Sequence, residues 1–163
     1  MIKEVTGDIL LTKAAAIAHG VAPSDHFDTG LALSLREKYA DMYKDFRHHC
    51  KVHNPKPGSV WFWENRADVR IANLFTQAPA TGPGGHPGRA HLNDVNHALK
   101  ELAKLVKEKN LGSIAIPKLA TGVGGLDWED VKPLITSHLG GLGVPVYIYS
   151  TFMKDVAAKE TGH

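Results

Sequence analysis

The sequence predicts an α/β fold with a largely parallel sheet and helices on both faces. Segments with strand character alternate along the chain with segments of helical periodicity. The apolar stretches AAIA and SIAIP are uninterrupted, as expected of strands that are covered on both faces. The length of 163 residues suits a single domain over 1–163, whose polar tail from about residue 153 we expect to be frayed.

Six strands are predicted from short apolar, aromatic or β-branched runs that end in turn residues. In chain order they are MIKEVTG at 1–7, the apolar run within KAAAIAHGV at 13–21 that ends near His19, GSVWFWE at 58–64, DVRIANLFT at 68–76, SIAIP at 113–117 and VPVYIYS at 144–150.

Three helices are predicted. Residues 29–50 read as one helix because Leu31, Leu35 and Met42 belong to an apolar set that recurs at three- and four-residue steps. The others cover 91–110 and 129–139. The segment APATGPGGHPGRA at 78–90 has too many glycines and prolines for regular structure; it is either a lid that brings His86 or Arg89 to a ligand or a surface loop.

Composition excludes several classes of protein. The formal net charge is only +2 and there is no long basic run, so the clustered basic face of a duplex nucleic-acid binder is not visible, although folding can gather scattered lysines. Cys50 is the single cysteine and has no zinc pattern around it, so we expect no metal site. The amino terminus is too short and too polar for a signal peptide and no apolar run approaches a membrane span, so we expect a cytoplasmic protein without membrane contact.

The stretch PKLATGVGGLDW at 117–128 carries the main chemical signal, because three glycines separate a buried strand from a helix. Bare backbone there can approach a ligand closely, and successive N–H groups can bind a diphosphate; the alternative is a tight turn without a ligand. Asp127 is better placed as a helix cap than as a catalyst. His19, at a strand end, either contacts a ligand or is buried and hydrogen-bonded.

Four stretches together resemble the macrodomain family, which binds ADP-ribose. They are TGDIL at 6–10, AIAHGVAPSDHFDTGLALSL at 16–35, RIANLFTQ at 70–77 and IAIPKLATGVGGLDWEDV at 114–131. The branch they look most like contains the terminal ADP-ribose glycohydrolases and the DNA ADP-ribosyl glycohydrolase antitoxins. The resemblance covers about residues 1–152 and implies a three-layer α/β/α fold on a mixed, largely parallel six-stranded sheet.

The resemblance also implies a ligand site. Asp8, with Ile9 alongside, is the expected acceptor for the adenine amino group, unless Asp8 only caps the turn after the first strand. Phe152, with Tyr149 as second choice, is expected to pack on the adenine, unless Phe152 fills the core edge. Two loops are expected to hold the phosphates and the distal ribose, with Thr29, Gly30 and Leu31 in one and Thr121, Gly122, Val123, Gly124 and Gly125 in the other.

The catalytic lysine of the terminal glycohydrolases is missing. In that branch it follows the threonine of an N-L-x-T strand end, where this chain has Gln77, and a carboxamide cannot form a Schiff-base-type intermediate. We therefore expect Asp28 to orient a water as general base, His26 or His86 to donate a proton, and Gln77 to hold a ribose hydroxyl or a water.

The expected function is hydrolysis that removes ADP-ribose from modified acidic side chains, nucleic acid or small ADP-ribose derivatives, without metal or cofactor. One alternative is a reader that binds ADP-ribose without chemistry, and another is a nucleotide-binding regulator unrelated to ADP-ribose. The expected partners are ADP-ribose and ADP-ribosylated protein or nucleic acid, and we expect a monomer.

Overall fold

A six-stranded sheet lies between two layers of helices in the computed structural model, which describes residues 1–80 and 87–160. The strands are β1 (Ile2–Gly7), β2 (Ala16–Val21), β3 (Val60–Glu64), β4 (Arg70–Phe75), β5 (Ile114–Pro117) and β6 (Val146–Phe152). Their order across the sheet is β1-β6-β5-β2-β4-β3; β3 runs antiparallel to β4, and every other pair of neighbours is parallel. The predicted three-layer fold is confirmed.

The helices are α1 (Gly30–Lys38), α2 (Ala40–His53), α3 (Leu92–Glu108) and α4 (Trp128–Leu139), and Ile9–Leu11 form a short 3-10 turn. The prediction of one helix over 29–50 is wrong, because Tyr39 leaves the helical conformation (φ −127°, ψ 69°). At this break the Tyr39 ring packs against the Trp63 ring, with 6.5 Å between centroids.

The two faces of the sheet bury separate clusters of side chains. Successive residues of a strand point to opposite faces, so Ala16 and Ala18 of β2 pack under α3 and α4, while Ile17 and Val21 pack under α1 and α2. Covering both faces explains why the strands are apolar throughout. None of the helices in residues 1–80 and 87–160 is long and apolar enough to cross a lipid bilayer.

Residues 153–160, here called the tail segment, fold back over the end of β1. The Met153 amide donates to the Gly7 carbonyl at 3.1 Å, and the Asp8 amide donates to the Val156 carbonyl at 2.7 Å. The Glu160 carboxylate accepts a hydrogen bond from the Tyr149 hydroxyl at 2.6 Å. The expectation that the chain frays after Phe152 is therefore wrong as far as residue 160, because backbone and carboxylate hydrogen bonds anchor this segment.

Candidate functional site

A cavity of about 310 Å³ opens at the carboxyl ends of β2, β4 and β5. Open parallel sheets bind ligands at this edge, where successive loops leave the strands. Half of its sixteen lining residues were predicted as site residues, namely His19, Thr29, Gly30, Leu31, Gln77, Gly122, Val123 and Gly124. The structure thus brings together segments that are far apart in the sequence, as predicted; we call this cavity the pocket.

The glycine loop combines open backbone with tight packing. A side chain on Gly122 would meet nothing within 4 Å, so its backbone lies open beside the pocket. A Cβ on Gly124 would lie 2.6 Å from the Ala120 carbonyl oxygen, so a glycine is required there by packing alone. Thr121 and Gly125 do not line the pocket; the Thr121 hydroxyl instead donates to the Lys118 carbonyl at 2.8 Å. The loop is therefore a tight turn whose residues 122–124 line the pocket.

His19 reaches the pocket from β2 and is only 2% exposed. Its Nε2 lies 2.7 Å from Asn73 Oδ1. The Asn73 amide nitrogen donates to the Trp61 carbonyl at 3.4 Å, so Oδ1 is the acceptor and His19 Nε2 carries the proton. Burial lowers the pKa of His19 to about 4, although the hydrogen bond to Asn73 acts in the opposite direction and raises it. At neutral pH His19 is an uncharged side chain with Nδ1 as an acceptor, and its predicted burial and hydrogen bonding are confirmed.

Asp25 supplies a buried carboxylate to the pocket and was not predicted from the sequence. Its two oxygens accept the amides of Ala22 at 3.0 Å and Phe27 at 2.9 Å. These bonds hold a loop in which Ser24 and Phe27 have positive φ angles of 58° and 52°. Desolvation raises the pKa of Asp25, and the nearby charge of Asp28 raises it further. The Asx-turn pattern, an aspartate that accepts the amide two residues ahead, is the signal that sequence reading missed.

The predicted catalytic residues are only partly brought into the pocket. Gln77 lies there, and its Nε2 donates to the Gly88 carbonyl at 3.2 Å, which turns Oε1 into the free acceptor of the amide. Asp28 is exposed and does not line the pocket, although its charge reaches Asp25. His26 lines a neighbouring groove instead of the pocket. Sequence spacing could not predict which of these side chains reach the pocket, because the left-handed residues of the 22–27 loop decide which side chains point into it.

Lys118 also lines the pocket and was not singled out from the sequence. It follows Pro117 directly at the carboxyl end of β5, and this strand-end position is the signal that could have found it. Its Nζ lies 6.0 Å from the centroid of the Trp128 ring. The pocket thus has a positive charge beside the glycine loop.

Asp8 and its neighbours lie outside the pocket, at the end of β1. Asp8 Oδ1 accepts the Leu10 amide at 3.0 Å, so the alternative that Asp8 caps this turn is confirmed. Asp8 Oδ2 accepts the Asp155 amide of the tail segment at 3.1 Å. Ile9 is buried in the core cluster below α1 and α2.

The two aromatic candidates differ in exposure. Phe152 is 70% exposed, so the alternative that it fills the core edge is wrong. Tyr149 is buried, and its hydroxyl is hydrogen-bonded to Glu160. Burial raises the pKa of Tyr149, and the bond to the Glu160 carboxylate raises it further. Of the two, only Phe152 has an exposed ring.

Three further expectations concern capping, metal binding and the 78–90 segment. Asp127 is the N-cap residue of α4, as predicted, although its side chain makes no capping hydrogen bond. In residues 1–80 and 87–160 no group of three His, Cys, Asp or Glu side chains is arranged to hold a metal ion.

His86 lies outside the described residues. The Arg89 guanidinium lies 3.1 Å from the position that a Cβ on Gly125 would take, at the outer side of the glycine loop.

Comparison with known proteins finds macrodomains that share this fold. A family model described as Macro domain matches residues 76–135. The macrodomain of Mycobacterium tuberculosis DarG superposes with a TM-score of 0.81 at 25% identity, covering 93% of this chain and 99% of that chain. The chain therefore has a macrodomain fold, as the sequence predicted.

Within that class, the chain is similar to part of the DNA ADP-ribosyl glycohydrolases. The protein of that name from Thermus aquaticus is 28% identical over 150 residues, which is 91% of this chain and 41% of the relative. This chain therefore spans about two fifths of the length of that relative. The ADP-ribose 1''-phosphate phosphatase of Candida albicans is 22% identical over 156 residues, covering 91% of this chain and 99% of the relative.

Proposed function

We propose that this chain binds ADP-ribose in the pocket and hydrolyses a bond at its distal ribose. The convergence of two glycine-bearing loops, Thr29–Leu31 and Ala120–Gly124, on one pocket is the observation that carries the proposal. Their backbones can surround a diphosphate, and Lys118 adds a positive charge beside them. The names of the similar proteins, two ADP-ribose hydrolases of different kinds, support the same ligand.

The polar side chains on the pocket wall suit the ribose end of the ligand. His19 offers Nδ1 and Gln77 offers Oε1, and both accept hydrogen bonds from hydroxyl groups without charge. Because both are buried and held by a partner, they fix the sugar at little cost in side-chain entropy. The adenosine then extends toward Phe152 and Asp8, and an adenine amino group at Asp8 takes the place of the Asp155 amide.

Asp25 is our candidate for the general base. It lines the pocket, and its raised pKa makes it a better proton acceptor than an ordinary aspartate. In the reaction, a water oxygen bonds to C1 of the distal ribose while the bond from C1 to the attached group breaks. The water gives one proton to Asp25, which later releases it to solvent, and the leaving group takes up a proton from solvent. Asp28 then acts through Asp25, because its charge holds the pKa of Asp25 up. No metal ion is needed, so EDTA should leave the rate unchanged.

The test compares three variants in calorimetry with ADP-ribose and in release of ADP-ribose from substrates modified on Glu, Arg, Ser and thymine. Asp25→Asn should lower turnover by about 10²- to 10⁴-fold and leave ADP-ribose affinity within a few-fold. Asp28→Ala should keep turnover and move the acidic limb of the pH–rate profile to lower pH. Asp127→Ala is the matched control, because it removes an exposed carboxylate that makes no capping bond.

Two outcomes would change the proposal. If Asp28→Ala removes turnover as completely as Asp25→Asn, the role of the base returns to Asp28, as the sequence predicted. A melting curve for each variant separates lost chemistry from lost folding, since Asp25 also holds the loop. If ADP-ribose at millimolar concentration gives no heat and shifts no amide signal of residues 120–124, the pocket does not bind it and the proposal is refuted.

A reader that binds ADP-ribose without chemistry is the second candidate. The observation in its favour is Gln77, whose neutral amide stands in the pocket and cannot act as a nucleophile. Tight ADP-ribose binding with no release from any of the four modified substrates would support this candidate over the hydrolase.

A further inference from the structure

The tail segment covers the carboxyl end of β1 with its own backbone. A Cβ on Gly7 would lie 2.8 Å from both the Ala158 nitrogen and the Val156 carbonyl oxygen, so the segment packs directly on the bare backbone of Gly7. The side chains of residues 153–157, by contrast, are exposed. The contact between the tail segment and β1 is therefore made mainly by main-chain atoms.

The tail segment satisfies both hydrogen-bonding groups that Asp8 offers it. The Asp8 amide donates to the Val156 carbonyl at 2.7 Å, and Asp8 Oδ2 accepts the Asp155 amide at 3.1 Å. The tail segment thus presents one donor and one acceptor to Asp8. The Watson–Crick edge of adenine presents the same two groups, because its amino group donates and its N1 accepts. The backbone at residues 155 and 156 therefore imitates the hydrogen-bonding edge of adenine.

Asp8 and the pocket lie at the same edge of the sheet. The strands β1, β6, β5 and β2 are consecutive neighbours and run parallel, so their carboxyl ends lie side by side. Three strand spacings, about 14 Å in total, separate β1 from β2. ADP-ribose consists of adenine and two sugars joined through a diphosphate, and in an extended form it spans such a distance. A ligand with its distal ribose beside β2 can therefore bring its adenine to Asp8.

The tail segment is ordered but makes few apolar contacts. Within residues 153–160, Ala158 is the one apolar side chain that packs against a core cluster, whereas Met153 and Val156 are 47% and 41% exposed. Asp155 has a left-handed backbone conformation with a φ of 60°, which costs free energy in any residue except glycine. Segments with little buried apolar surface open at a low free-energy cost. A ligand can therefore displace this segment without unfolding the sheet.

Glu160 is the main side-chain anchor of the tail segment. Its Oε1 accepts the Lys13 amide at 3.0 Å, and its Oε2 accepts the hydroxyls of Thr12 at 2.5 Å and Tyr149 at 2.6 Å. Hydrogen bonds to a charged acceptor are about twice as strong as neutral ones. Replacing the carboxylate by an amide of the same shape should therefore loosen the segment without removing it.

We propose that the tail segment regulates the ligand site by competing with adenine for Asp8. The proposal rests on the proposed function and adds the regulation of the same site. In the free protein the segment occupies the adenine end of the site, and ADP-ribose binds the open form, in which residues 155 and 156 have left Asp8. The apparent Kd then equals the Kd of the open form divided by the fraction of protein that is open.

Two substitutions in the tail segment should change the affinity in opposite directions, as measured by calorimetry with ADP-ribose. Glu160→Gln weakens the anchor, so ADP-ribose should bind about three- to ten-fold more tightly. Asp155→Gly keeps the amide that donates to Asp8 and removes the backbone strain, so ADP-ribose should bind about three- to five-fold more weakly.

Each substitution has a matched control. Glu108→Gln removes the same charge as Glu160→Gln, but at the last residue of α3, far from the tail segment in the fold. Asp155→Asn removes the same charge as Asp155→Gly and keeps a side chain that tolerates the left-handed conformation. Neither control should change the affinity for ADP-ribose. If both tail substitutions change the affinity in the same direction, or neither differs from its control, the proposal is overturned.

Hydrogen exchange reads the release of the tail segment directly. Saturating ADP-ribose should speed exchange of the Asp155 amide about ten-fold, and AMP at millimolar concentration should do the same because it carries the adenine. Ribose 5-phosphate, which has no base, should leave this exchange unchanged. Unchanged or slower exchange in the ADP-ribose complex, or an equal response to ribose 5-phosphate, would overturn the competition between adenine and the tail segment.

The two proposals can fail separately. If neither the unaltered protein nor Glu160→Gln binds ADP-ribose, the proposed function fails. AMP still tests the tail segment in that case: faster exchange of the Asp155 amide supports the competition for Asp8, and unchanged exchange rejects it. If ADP-ribose binds and the exchange of Asp155 does not respond, the tail-segment proposal alone fails.

Discussion

Replacing His19 with glutamine should make the stability of this protein less sensitive to acid. The folded state holds His19 neutral until its pKa of about 4, whereas the unfolded chain takes up a proton near the ordinary value of 6.5. The folded state therefore has its full stability above pH 6.5 and loses it progressively as the pH falls toward 4. The difference between the two pKa values corresponds to about 3 kcal/mol. A glutamine amide can still donate to Asn73 Oδ1 but does not titrate.

The assay is urea denaturation followed by tryptophan fluorescence at pH 7.5, 6.5, 5.5 and 4.5. The difference in unfolding free energy between His19→Gln and the unaltered protein should shift by about 3 kcal/mol in favour of the variant across this range. His138→Gln is the matched control, since the half-buried His138 also lies against an asparagine oxygen, 2.6 Å from Asn96 Oδ1. A pH-independent difference for His19→Gln, or an equal shift at both positions, would refute the attribution to the buried imidazole.

Two further predictions concern the glycine loop and the tail segment. Gly124→Ala places a methyl group 2.6 Å from the Ala120 carbonyl oxygen, so we expect a loss of about 1–3 kcal/mol of stability and weaker ADP-ribose binding, measured by melting and calorimetry. The matched control is Gly122→Ala, because a methyl group at residue 122 has open space around it. Equal effects of the two substitutions would contradict the packing argument. Glu160→Gln weakens the charge-assisted hydrogen bonds that the Tyr149 and Thr12 hydroxyls donate to the Glu160 carboxylate. Amide hydrogen exchange should therefore speed up in residues 153–160 and not in β5. Unchanged exchange in residues 153–160 would show that the carboxylate does not anchor the tail segment.

The strands and the two pocket loops were predictable because their signals are local. Apolar runs such as SIAIP mark strands wherever they occur, and glycines mark the loops that approach a ligand. The helix break at Tyr39 was not predictable in this way. No glycine or proline marks it, and the apolar periodicity continues across it, so only the contact with Trp63 identifies it.

The identity of the pocket carboxylate and the groove that His26 lines both depend on tertiary structure. The sequence pointed to Asp28, but a loop with two left-handed residues, Ser24 and Phe27, brings Asp25 to the pocket instead. The groove joins the 23–26 loop to cations at the end of α2 and in the turn beyond it. A charge count along the chain cannot reveal such a surface, because the residues that form it are not neighbours in sequence.

The pairing of the two ends of the chain has a consequence for biosynthesis. β1 pairs with β6, the strand formed last, while β2 pairs with β4 on one side and with β5 on the other, all earlier in the chain. During translation β1 therefore waits without its partner until residues 146–152 have left the ribosome, whereas the strands around the pocket can already assemble. The order of synthesis thus favours the ligand-binding edge first and the closing of the sheet last.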